Sequence, residues 1–87
     1  MEQQYLIAVF KSRTQVMRFS QLLRSYGVSN EVISTPREAG SGCGLCVKFE
    51  ESGFGKVLNV LSSENFTAYT GIFHVKESGW KRTVRAY

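Results

Sequence analysis

"YLIAVFKSRTQVMRFSQLLRSYG", Tyr5 to Gly27, decides the fold, because two hydrophobic periods meet across one short polar break. Tyr5 to Phe10 is a continuous apolar run rich in β-formers and flanked by polar residues. It predicts a strand buried on both faces or nearly so, hence central in a sheet. After the break, Ser12 is placed to cap a helix with Gln15 three residues later, and Val16, Phe19, Leu23 and Tyr26 recur at helical spacing. Gly27 supplies the left-handed stop. Strand, turn and helix are therefore expected from one contiguous segment.

Working outward, "VSNEVIST" is β-branched but alternates poorly. Pro36, lacking an N–H, ends this peripheral strand near Thr35. A loop, Pro36 to Gly42, precedes "CGLCVKFE", in which Leu45, Val47 and Phe49 alternate with Cys46 and Lys48, the period of a strand with one face buried. Ser52 is a candidate cap for "GFGKVLNVLSS", where Phe54, Val57, Leu58 and Leu61 form one helical stripe despite two glycines. "AYTGIFHVK" reads as a fourth strand. The order predicts an α+β ferredoxin-like β-α-β-β-α-β sandwich, with a four-stranded antiparallel sheet and two helices on one face, near Ser12 to Tyr26 and Gly53 to Ser62. Residues 1–76 form the expected single domain, and 77–87 a basic, aromatic C-terminal extension. Apolar residues on both faces of the first and last strands require cover for the second face, either by this extension, with Trp80 and Tyr87, or by a second copy in a homodimer.

Composition bounds the function. The chain has 87 residues, 43% of them apolar, enough for one modest core without disulfide staples. The opening "MEQQYLIAVF" lacks the basic start and cleavage pattern of a signal peptide, and no run approaches a membrane span. A cytoplasmic location with no membrane association is expected, so Cys43 and Cys46 read as free thiols. The net charge of +4 is uneven, since Lys81, Arg82 and Arg85 crowd the end.

The special residues concentrate in "TPREAGSGCGLC", Thr35 to Cys46, which holds the only proline, both cysteines and three of the eight glycines. Gly40, Gly42 and Gly44 admit positive φ and leave amides free to curl around an anion, and a thiolate is one. Arg37 and Lys48 are cations near enough in sequence to stabilise that thiolate. The functional reading is a nucleophilic Cys43 bound by Arg37, Gly42, Gly44 and Lys48; the competing reading is a small buried hydrophobe in a turn. Cys43-Gly-Leu-Cys46 differs from thioredoxin-like motifs in leading into a strand, so a dithiol role needs a turn at Gly44. Two cysteines and His74 do not make a four-ligand zinc site, and neither metal nor cofactor is expected.

"STPREAGSGCGLCVKF", Ser34 to Phe49, resembles the signature of small bacterial selenium/sulfur carrier protein-like domains: a Pro-Arg-Glu stretch, small residues, then Cys-Gly-Leu and a strand. Pro36, Arg37, Glu38, Cys43, Gly44 and Leu45 match it, and similarity extends over most of residues 4 to 76. The resemblance implies a carrier in which Cys43 accepts sulfur or selenium as a persulfide or selenopersulfide. Donor and acceptor proteins would be its partners. Cys46 departs from the small aliphatic residue often found there, as a resolving thiol or a packing substitute, and the tail after Lys76 is unusually basic and aromatic. Two other classes remain open. One is a non-catalytic interaction or regulatory domain joined through its sheet face. The other is an RNA platform, disfavoured because the third strand lacks the aromatic motif of such modules.

Overall fold

The computed structural model describes residues 2–40 and 42–87. Five strands and two helices follow one another as β1 (Glu2–Phe10), α1 (Arg13–Ser25), β2 (Asn30–Ser34), β3 (Leu45–Phe49), α2 (Phe54–Ser63), β4 (Tyr69–Ser78) and β5 (Lys81–Ala86), with single 3₁₀ turns at Arg37–Ala39 and Glu51–Gly53. The sheet order is β2-β3-β1-β4-β5, every pairing antiparallel, so the Tyr5–Phe10 run does lie in the middle. The expectation of four strands is corrected to five. The tail pairs with β4 through Val75↔Val84 and Phe73↔Ala86, satisfying an edge that would otherwise stay open.

The helices form where the apolar stripes predict them, with four adjustments. Ser12 caps α1 by accepting from the Gln15 amide at 3.3 Å. The Gln15 side chain does not complete the capping box; its amide nitrogen donates to Thr67 Oγ1 and its oxygen accepts from the Ala68 N–H, both at 2.9 Å, joining the helix start to the segment just before β4. Val16, Phe19 and Leu23 are buried while Tyr26, at the C-cap, is exposed. In α2 the buried residues are Val57 and Val60, and Leu58 points to solvent. The α2 N-cap is Gly53, without a side-chain capping bond, not Ser52. Ser20 is buried yet satisfied: its hydroxyl donates to Asn30 Oδ1 at 2.6 Å, and the Asn30 amide donates back to the Ser20 carbonyl at 3.2 Å, fastening α1 to β2.

Alternation along β1 splits the interior into two clusters. Leu6, Ala8 and Phe10 meet Val16, Phe19, Leu23, Val47, Phe49, Val57 and Val60 under the helices. Phe10, Phe19 and Phe66 pack there with ring centroids 5.1–5.6 Å apart. On the other face Tyr5, Ile7 and Val9 join Cys46, Val75 and Ala39. Cover for this face comes from the chain's own loop after β2, through buried Ala39, while the tail extends the sheet sideways. A register shift between Val9 and Phe10 leaves Thr70 without a ladder partner; its hydroxyl donates to the Val9 carbonyl at 3.0 Å. The shift brings Tyr69 beside Phe10 on the helix side, against the simple alternation with Phe73.

Candidate functional site

The loop from Thr35 to Gly44 is built around a few backbone bonds. The Thr35 N–H donates to the Gly44 carbonyl at 3.0 Å and closes it at the base. The Ala39 and Gly40 amides donate to the Pro36 and Arg37 carbonyls, forming the 3₁₀ turn that lays Ala39 on the sheet. The Cys43 N–H donates to the Phe10 carbonyl at 3.1 Å, anchoring the cysteine to the end of β1. Ser41 lies outside the described residues.

Two glycines have specific reasons to be there. At Gly42 an added Cβ would sit 3.1 Å from the Phe10 carbonyl oxygen and 3.2 Å from Val9 Cγ1, closer than a side chain is comfortably held. Gly44 has φ +92°, a conformation that L side chains rarely adopt, where the chain turns into β3. Both glycines therefore place Cys43. Of the glycine amides expected to form a cradle, that of Gly40 is committed to the Arg37 carbonyl, and the Cys43 N–H is committed to the Phe10 carbonyl.

The two thiols lie on opposite faces of the sheet. Cys43 is half-buried, packs against the helix-side cluster and sets its Sγ 3.5 Å from the Leu45 carbonyl, a weak S–H contact. Cys46 is 0% exposed, opposite Val9 and Ile33 in the second cluster. Burial pushes the Cys46 thiol up to about 11; proximity to Cys43 adds to this, and the Thr35 hydroxyl offsets a part. That hydroxyl is buried and has no partner of hydrogen-bond geometry among the described residues, so its influence on the thiol is one of proximity.

The predicted cations do not converge on Cys43. Lys48 shares the Cys46 face and holds its Nζ 4.5 Å from the centroid of the Tyr5 ring, a cation–π contact. Arg37 is exposed on the 3₁₀ turn and lines a surface cleft with Ser34, Thr35, Pro36, Glu38 and Arg82. Sequence reasoning missed the clasp beside it: Arg82 of β5 donates through its terminal nitrogen to Glu38 Oε1 at 2.8 Å and through Nε to Oε2 at 3.3 Å. This two-point pair holds the carboxyl of Glu38 below the usual range, the Arg82 hydrogen bonds being the largest cause. No local signal links residues 44 positions apart.

A family model described as Putative Se/S carrier protein-like matches residues 5–74. The chain belongs to this family. Neither a curated protein nor a solved structure matches it. The match takes in the cysteine loop and both helices and stops inside β4, so β5 with Arg82 lies beyond it and Glu38 within it. Among the described residues no group of three His, Cys, Asp or Glu side chains is placed to hold a metal ion, and no helix is long and apolar enough to cross a membrane.

Proposed function

We propose that this member of the family carries one sulfur or selenium atom on Cys43, as a persulfide or selenopersulfide, between a donor and an acceptor protein in the cytoplasm. The observation that carries the reading is the asymmetry of the thiols: Cys43 is half-buried on a glycine-shaped loop, whereas Cys46 is enclosed and held protonated by burial. The sheet order β2-β3-β1-β4 supports a ferredoxin-like unit as the scaffold, with β5 added at one edge.

The transfer needs no external oxidant. The Cys43 thiolate attacks the outer sulfur of a donor persulfide, forming a new S–S bond as the donor's own S–S bond breaks and the donor leaves as a thiolate. An acceptor thiolate then attacks the outer atom on Cys43 and returns Cys43 as thiolate. The selenium case is the same displacement at an outer selenium. In this scheme Cys46 packs and does not exchange, because a resolving disulfide would have to join groups on opposite sheet faces. Arg37 is assigned to the protein partner, where its exposed guanidinium meets acidic groups.

Intact-mass spectrometry on protein purified without reductant tests the reading. A gain of one sulfur or selenium atom, removed by a thiol reductant and absent from Cys43→Ser, is expected, with Cys46→Ser retaining it. Equal, slow alkylation of both cysteines and no labile mass would overturn the carrier reading and favour an interaction domain with incidental thiols.

A further inference from the structure

The tail presents a strand edge with an unusual combination of features. The Tyr87 N–H donates inward to the Ile72 carbonyl at 2.9 Å. In an antiparallel ladder the N–H and C=O of one residue point to the same side and alternate along the strand. Lys81, Thr83 and Arg85 therefore direct their backbone groups at β4, and Arg82, Val84 and Ala86 direct theirs outward, where the sheet order ends. The side chains are strongly one-signed: β5 carries Lys81, Arg82 and Arg85 and no acid, and at its hairpin Trp80 is 96% exposed.

We propose that the outer edge of β5 is a docking strand for an extended, acidic segment of a partner protein, added antiparallel as a sixth strand. Main-chain bonds to Arg82, Val84 and Ala86 supply the register, and acidic side chains on the helix-side face meet Lys81 and Arg85. Trp80 offers an apolar anchor at one end. A second copy fits the edge poorly, since two β5 strands side by side bring three cations from each chain together, and the neighbouring acids Glu38 and Glu77 both sit beside Arg82. Nucleic acid fits less well than a strand, because the outward donors and acceptors follow the spacing of a peptide ladder. The Tyr87 ring is also already engaged, edge-on to Phe54 at 4.8 Å and stacked with His74 at 6.3 Å. The edge lies outside the family match and is independent of what Cys43 carries.

The probe is a synthetic peptide alternating Glu with Val and Thr, titrated into the full chain while amide hydrogen exchange is read by NMR. The outward amides of Arg82, Val84 and Ala86 should slow by about tenfold or more on saturation, and a peptide with Lys in place of Glu should leave them unchanged. Val84→Pro removes an outward N–H without touching a bond to β4, so it should abolish the protection while β4 amides stay protected. Arg85→Glu should weaken binding about tenfold by charge alone, and Cys43→Ser should bind like the parent. Several results would overturn the proposal: unchanged exchange at the three amides, equal binding of the Lys peptide, concentration-dependent protection without any peptide, or tighter binding of a polyuridylate oligonucleotide at the same residues.

Discussion

Cys46 shows how burial favours the protonated form of a thiol. Its folded value of about 11 stands above the 9.0 of an ordinary thiol, so the folded state holds the proton more tightly than the unfolded state. The associated stability is fully present below pH 9.0 and is lost as pH rises towards 11. Two units correspond to about 2–3 kcal/mol. Urea denaturation of the parent and of Cys46→Ala at several pH values should show a parent advantage that narrows across this window; an unchanged gap would mean that the thiol is not protected by the fold. Cys43, three residues away, stays half-buried because Gly42 and Gly44 let the chain pass close to β1 and turn before β3 begins.

At the scale of elements, α1 and the cysteine loop are secured in different ways. Ser12 accepts from the Gln15 amide, so Ser12→Ala should cost about 1 kcal/mol in chemical denaturation, with no change in the sheet. The loop depends on a surface contact, Glu38 with Arg82, whose side chains are each roughly two-fifths exposed. Its effect on global stability is therefore small, and its effect on the position of the loop is the one to measure. Glu38 is held below its ordinary 4.5, so the clasp is intact above that pH and is released as pH falls through the lower folded value. NMR signals of the Arg82 guanidinium and the Ala39 amide should shift together in that acid range in the parent. In Glu38→Gln they should show no such titration.

The whole molecule rests on one dominant core. Phe10, Phe19 and Phe66 interlock where α1, the end of β1 and the start of β4 meet, and Phe10 and Phe19 are fully enclosed. Phe19→Ala should cost about 3–5 kcal/mol, by lost burial and by the cavity left behind. That is a large share of the ~5–15 kcal/mol that holds small domains folded. Thermal unfolding should show a correspondingly lower midpoint, and a loss under about 1 kcal/mol would mean that the site collapses to fill the space.

Local periodicity determined most of the scaffold. The unbroken apolar run of β1 had to be central because both of its faces need cover, and the stripes of α1 and α2 had to face the sheet because they carry the only broad apolar helix faces. The shared face of Cys46 and Lys48 was also legible, since Leu45, Val47 and Phe49 turn the other way. Only the tertiary structure decided three further things. The tail became a fifth strand because β4 offered an unsatisfied ladder. Ala39 covered the second face because the loop could fold back on it. Tyr69 moved to the helix side because a register shift beside Phe10 reversed its alternation. The last two join segments far apart in the chain, and the first is a hairpin between neighbouring strands; the free energy of each depends on surfaces that exist only once the remaining elements have assembled.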